Sequence, residues 1–164
     1  MTEGSQIIIY HPARHAVLMY LRDDKPSIPF PDMWALPGGM LEPSDKTPKE
    51  CVLREIEEEM ELILDPATVQ AFARRDCDFG IEHTFTTSLE LDIDELALHE
   101  GQRLGWFTAQ EAAETELAYA DNDILRQFFS RKAVEQTPGA DPDRHRTDRH
   151  DQQGTPAVEG GVAR

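Results

Sequence analysis

Gly38-Gly-Met-Leu-Glu-Pro-Ser-Asp-Lys-Thr-Pro-Lys-Glu-Cys-Val-Leu-Arg-Glu-Ile-Glu-Glu-Glu-Met-Glu-Leu62 is the segment that decides how the rest of the chain is read. Pro37-Gly38-Gly39 reads as a turn, because adjacent glycines open backbone conformations closed to other residues and let the chain pass close to a ligand. A helix is predicted over Thr47–Leu62: Thr47 is a good N-cap, Pro48 suits the first helical position, and Glu50 completes a capping box. Projected at about 100° per residue, Val52, Leu53, Ile56 and Met60 share one apolar arc that should face a core. Glu55, Glu58 and Glu59 share an adjoining arc. Glu57 and Glu61 point elsewhere, toward solvent, and Arg54 lies beside Glu58, where it can brace a carboxylate.

Carboxylates crowded on one helical face repel one another, by about 0.2–0.5 kcal/mol for each exposed pair. Taken alone, such a face fits plain solvation as well as it fits a site. The glycine segment ahead of it shifts the reading toward a site for a hard divalent cation such as Mg²⁺ or Mn²⁺, which prefers oxygen ligands.

Outward from this helix, the chain mixes strands and helices. Gln6–Tyr10 and Ala16–Arg22 read as paired strands, and Met33–Leu36 as a short apolar one. Val69–Cys77, His83–Ile93 and Gly105–Phe107 also have strand character. Ala109–Leu117 and Asn122–Ala133 read as closing helices. The expected fold class is α/β, a mixed sheet covered by helices. Asp23–Pro31, with three prolines, is a loop expected near a substrate entrance.

The bulk properties set limits. The length of 164 residues suits one domain. Residues 1–134 are expected to fold, and 135–164, nearly devoid of large apolar side chains, to form a disordered polar tail. That tail holds six acidic and four basic residues, so −14 of the net −16 lies in residues 1–134. Such a charge repels a nucleic-acid polymer. No apolar run approaches a membrane span, and no basic flank leads into a signal stretch, so a cytoplasmic protein is expected. Cys51 and Cys77 suggest neither a disulfide framework nor a cysteine-based zinc site. Cys51 reads as packing, His145 and His150 as polar tail residues, and His83 and His99 have no partner visible in sequence.

The run Arg54-Glu55-Ile56-Glu57-Glu58-Glu59-Met60, opened by Gly39 and approached through Trp34-Ala-Leu-Pro-Gly-Gly39, resembles the Nudix box, G-x5-E-x7-R-E-U-x-E-E-x-G-U with U aliphatic. The resemblance covers roughly residues 5–130. It implies the Nudix fold, an α/β/α sandwich around a mixed sheet, and hydrolysis of a phosphoanhydride bond in a nucleoside diphosphate linked to another group. Two departures stand out. The loop before the helix carries one extra residue, so the first box Glu falls near Asp45 or Lys46, and the box Gly is replaced by Glu61.

The resemblance implies divalent metal held by Glu55, Glu58 and Glu59, with Gly38 and Gly39 offering backbone groups to metal or substrate. It places Glu100, in His99-Glu-Gly-Gln-Arg-Leu-Gly-Trp106, as a metal ligand or general base; otherwise Glu100 is an exposed turn residue. Arg22 is a candidate for a phosphate or a plain strand-end charge. Asn122 is a candidate for a base contact or a helix cap, and Trp34 and Phe30 for base stacking or for core.

The implied substrate is a small nucleotide. A (deoxy)nucleoside triphosphate, oxidised ones included, is favoured, giving a monophosphate and pyrophosphate. A nucleoside diphosphate sugar and a non-catalytic nucleotide sensor are the alternatives; no separate DNA-binding segment is visible for the last. Monomer and homodimer are both compatible with the sequence.

Overall fold

Ile7, Ile8 and Ile9 are consecutive and all fully buried, so the strand that carries them must be covered on both faces. In the computed structural model, which describes residues 2–136, that strand is β1 (Glu3–His11), at the centre of a seven-stranded sheet. The other strands are β2 (Ala16–Leu21), β3 (Trp34–Ala35), β4 (Gly38–Met40), β5 (Gln70–Cys77), β6 (Gly80–Ser88) and β7 (Arg103–Thr108). Three α-helices join them: α1 (Pro48–Met60), α2 (Ala109–Glu114) and α3 (Asp121–Gln136).

One edge of β1 pairs in parallel with β6, from Glu3↔Ile81 to Tyr10↔Ser88. Its other edge is divided. Gly4, Ser5 and Gln6 pair with Met40, Gly39 and Gly38 of β4, whereas Tyr10 and His11 pair with Val17 and Ala16 of β2. β2 then continues beside β3 on one edge and β7 on the other. The two central strands therefore diverge, and a cleft opens along β1, β4 and the end of β2.

Strand alternation assigns each β1 side chain to a layer. Ile8 and Tyr10 pack with Val17, Met19, Leu36, Ile124, Leu125 and Phe128, on the side of α3. Ile7 and Ile9 pack with Leu18 and with Val52, Ile56 and Met60 of α1. The result is the expected α/β/α sandwich, and the apolar arc of α1 faces the core, with Leu53 only partly buried.

Several local expectations are corrected. Gly38 and Gly39 form strand β4, not a turn. Their lack of a side chain serves close approach: a Cβ on Gly38 would lie 2.1 Å from the Ser5 carbonyl oxygen. The capping box at α1 is half formed. Thr47 Oγ1 accepts the Glu50 N–H at 3.1 Å, but Glu50 Oε2 accepts from the Lys46 N–H at 2.8 Å, one residue earlier. The strand read over His83–Ile93 begins at Gly80 and stops at Ser88, because Asp92 caps a 3₁₀ turn over Ile93–Glu95 and directs Leu91 and Ile93 onto the α1 layer.

At the end of α1, Glu61 adopts the left-handed conformation, φ 53° and ψ 32°, that favours glycine. The compact unit that carries the sheet ends at Phe129, and a second unit begins at Ser130. The described part of the second is the end of α3, where Lys132 pairs with Glu135 at 3.3 Å. The tail expected over 135–164 lies, from residue 137, outside the described residues.

Two stability outcomes follow from this packing. Ile56→Ala, which empties a fully buried site under the sheet, should cost about 2–5 kcal/mol in urea unfolding. Glu61→Gly should stabilise by about 0.5–1 kcal/mol, the relief of left-handed strain less the entropy glycine adds to the unfolded chain.

Candidate active site

The cleft has a volume of about 400 Å³ and is lined by β1, β4, the end of β2, the start of α1's acidic face and the loop around Glu100. Glu55, Glu59, Glu100, Gly38, Gly39 and Arg22 all line it. Glu58 and Asn122 do not.

Arg54 organises the acidic face. Its Nε and Nη2 donate to Asp45 Oδ1 and Oδ2 at 2.9 and 2.8 Å, a bidentate pair. Nη1 donates to Glu55 Oε1 at 3.0 Å and to Glu58 Oε2 at 3.1 Å, and Nη2 also reaches the Met40 carbonyl at 3.3 Å. Asp45 thus occupies the place left by the displaced first box Glu, and the hydrogen bond from Arg54 lowers its carboxyl to about 2. The one-residue insertion is absorbed in the loop without loss of the ion pair.

Glu55 lies over Gly39 so closely that a Cβ there would sit 2.3 Å from the Glu55 carboxyl carbon. The glycine is therefore a fitted floor beneath a charged side chain. Cys51 is buried below, its thiol pushed up to about 11 by burial, consistent with packing.

Glu100 reaches this group because its loop is fastened on both sides. The His99 N–H donates to the Glu59 carbonyl at 2.8 Å, and the Gln102 N–H to the Leu21 carbonyl at 2.8 Å. Gly101, at φ 89°, makes the bend between them. Glu55 and Glu100 lie within hydrogen-bonding reach of Glu59. Burial first, then the two neighbouring carboxylates, pushes Glu59 up to about 9, so it holds a proton at neutral pH. Burial also raises Glu55, against the pull of Arg54.

Among the described residues, no three histidine, cysteine or acidic side chains are grouped closely enough to hold a metal ion as they stand. Glu58, 58% exposed, is turned toward Arg54. The donor set is nevertheless made of carboxylate oxygens alone, with a proton held where a cation would relieve the repulsion. Glu55, Glu59 and Glu100 therefore fit a hard divalent ion.

Arg22 stands at the other wall. Its Nη1 donates to Tyr20 Oη at 2.7 Å and its Nε to the Pro29 carbonyl at 3.0 Å, and its guanidinium lies over the Tyr119 ring at 5.1 Å. Phe30 of the proline-rich loop meets Tyr119 edge-on at 4.7 Å. Trp34 instead packs against Phe107, away from the cleft lining. Asn122 is fully engaged with backbone: it accepts from Leu117 N–H at 3.0 Å and donates to the Ala112 and Thr115 carbonyls at 3.0 and 2.7 Å. It ties α2 to the turn before α3 and does not join the carboxylates. His83 pairs with Glu3 at 2.6 Å and His99 with Glu61 at 3.3 Å.

Sequence reading missed a buried polar group at the cleft floor: Gln6, Glu82, Arg75 and the adjoining Asp121. Burial raises the Glu82 carboxyl, with Arg75 pulling the other way, and complete burial lifts Asp121 to about 7. The signal was Glu82 itself, which shares strand parity with the inward-facing Thr84 and should have stood out as a charge on a buried face.

The NUDIX domain model matches residues 4–128, and the chain belongs to that family. It is a Nudix hydrolase. The CTP pyrophosphohydrolase of Escherichia coli (strain K12) is 29% identical over 102 residues, 62% of this chain and 75% of that protein. The solution structure of the E. coli ORF135 protein superimposes with a TM-score of 0.62 at 25% identity, covering 84% of this chain and 94% of that one. A MutT structure from work on Aliivibrio salmonicida and Vibrio cholerae gives a TM-score of 0.61 at 21% identity, covering 79% and 98%. Among the described residues no helix is long and apolar enough to cross a membrane.

The proton on Glu59 gives the site a pH signature. A cation must displace it, so apparent Mg²⁺ affinity should rise with pH until about 9, where the carboxylate ionises unaided. Calorimetry at pH 7 in buffers of different ionisation enthalpy should show proton release by the native protein and much less by Glu59→Gln. Equal release by both would contradict the assignment.

Proposed function

We propose that the protein hydrolyses (deoxy)nucleoside triphosphates, oxidised ones included, to the monophosphate and pyrophosphate, with Mg²⁺ as the working metal and Mn²⁺ as a substitute. The observation that carries this reading is the convergence of Glu55, Glu59 and Glu100 in one cleft over the Gly38-Gly39 strand. The likeness to a CTP pyrophosphohydrolase supports the substrate class.

The divalent ion, when bound, neutralises phosphate oxygens and acidifies an attacking water. Glu55 and Glu59 would hold it, and Glu58, tethered only through Arg54 Nη1, can swing in as a further ligand. Gly39, with no side chain of its own, leaves the space above it to the Glu55 carboxylate, which can then face the ion. Arg54 positions Glu55 by a 3.0 Å bond and is itself locked by Asp45. Glu100, which lines the cleft next to Glu59, would take the water's proton. Arg22 has Nη2 outside its two hydrogen bonds, and that nitrogen binds a phosphate oxygen. The substrate is thus a free small nucleotide, which an acidic surface admits as its metal complex.

The test is incubation with Mg²⁺ and a panel of nucleoside triphosphates, oxidised guanine nucleotides and nucleotide sugars, with products followed by phosphorus NMR. Pyrophosphate and a monophosphate are expected, and Glu100→Gln, which removes the proton acceptor, should lower kcat by about 10²–10⁴-fold. Glu57→Gln, on the outward face, is the comparison variant. A sugar phosphate product would replace the substrate class, and absence of any cleavage would overturn the catalytic reading.

A further inference from the structure

The floor of the cleft holds a charge that phosphoryl transfer does not use. Glu82 of β6 is 7% exposed and lines the cleft. Its Oε1 accepts from Gln6 Nε2 at 3.0 Å, from Arg75 Nε at 3.1 Å, and from Arg75 Nη2. Gln6 Nε2 also donates to Thr84 Oγ1 at 3.1 Å. Arg75 is otherwise spent on backbone, donating from Nη1 to the Ala120 carbonyl at 3.2 Å and from Nη2 to that of Tyr119 at 3.4 Å. Three donors fall on Oε1 and none on Oε2.

Directly behind, Asp121 is fully buried. Its Oδ2 accepts the Leu36 N–H at 2.9 Å, while Oδ1 has no hydrogen bond and meets its nearest cation, Arg75 Nη2, only at 3.7 Å. One arginine faces two buried carboxylates, so the floor has acceptor capacity to spare. Buried acceptors without donors are costly, and such sites are completed by a ligand or water.

Position agrees with this. Glu82 lies beside Gly4 on β1, and Gly4 beside Met40 on β4, the strand whose Gly39 lies beneath the Glu55 carboxylate of α1. The two strands are thus two places apart in the sheet, and Glu82, Glu55 and Glu59 line the same cleft. A nucleotide whose phosphates lie at Arg22 and at the ion that Glu55 and Glu59 would hold would lay its base toward Glu82, with the Tyr119 ring on the cleft wall.

Resting on the proposed nucleotide hydrolysis, we infer that Glu82 is the specificity-determining residue for the base, its Oε2 accepting a hydrogen bond from an exocyclic amino group. A carboxylate accepts and cannot donate, so it receives the amino group of cytosine or adenine and repels the keto oxygen that replaces it in uracil or hypoxanthine. Arg75 and Gln6 are positioning residues, which hold Oε1 and so aim Oε2.

The experiment measures metal-free binding of CMP, UMP, AMP and IMP by calorimetry, alongside kcat/KM for the matching triphosphates. At least one amino-bearing nucleotide should bind about 10- to 100-fold more tightly than its keto counterpart, and dimethylation of its amino group should remove that advantage. Glu82→Gln and Glu82→Asp should each bring the ratio to within a few-fold of one. The wild-type ligand series needs no variant to fold. Equal binding within both pairs, or an unchanged ratio in Glu82→Gln, overturns the inference. Discrimination without any triphosphate cleavage would sustain base reading and sink the hydrolytic reading. Cleavage without discrimination would do the reverse.

Discussion

Mutual repulsion among clustered carboxylates, with Glu59 buried at their centre, is the constraint around which this molecule is arranged. Glu55, Glu59 and Glu100 come from two separate segments and are held together although each disfavours the others' charge. The fold offsets that cost on three sides. Arg54 lies against Glu55 and is locked by Asp45, the His99–Glu59 backbone bond pins the Glu100 loop, and a proton on Glu59 reduces the local charge. Such a cluster stays unfavourable until its charge is relieved, and under the proposed function a divalent cation is what relieves it.

The sheet makes the arrangement possible. Because β1 divides its edge between β4 and β2, the strands separate and expose a cleft without breaking either core layer. The same residues that anchor α1 under the sheet, Val52, Ile56 and Met60, fix the azimuth of its acidic face. Stability and site geometry are therefore coupled through one helix. Burial of the α1 stripe determines where Glu55 and Glu59 point, and the absence of a side chain at Gly39 determines how near Glu55 can come. The cleft's far floor repeats the device with Arg75 between Glu82 and Asp121, less completely neutralised.

Most of the fold was legible in sequence because its elements obey simple periods. The α1 wheel placed the apolar arc on the core and Glu55 and Glu59 on the cleft, although Glu58, read on the same arc, turns to Arg54 outside it, and Gln6–Tyr10 was read as a strand. Long-range closure was less legible. Gly38-Gly39 looked like a turn because local chemistry cannot distinguish a glycine that bends from one that lets β4 pass beside Ser5. Glu50 was assigned to Thr47 because one-residue differences in cap geometry lie below what spacing resolves. Asn122 resembled a ligand-facing residue by position, yet its three hydrogen bonds go to the backbone of the preceding turn. Glu82 was passed over because its partners, Arg75 on the neighbouring strand and Gln6 on β1, become neighbours only once the sheet forms.

The central claim is that the acidic face of α1 is built around a divalent cation. Its most direct test is a Mn²⁺ titration followed by electron paramagnetic resonance, in which bound ion leaves the free-ion signal. The account predicts saturable binding by the wild-type protein, strongly weakened in Glu59→Gln and kept in Glu57→Gln, whose side chain faces solvent. Binding that is as tight in Glu59→Gln as in the wild type, or lost equally in both variants, would show a diffuse attraction to an acidic helix and contradict it.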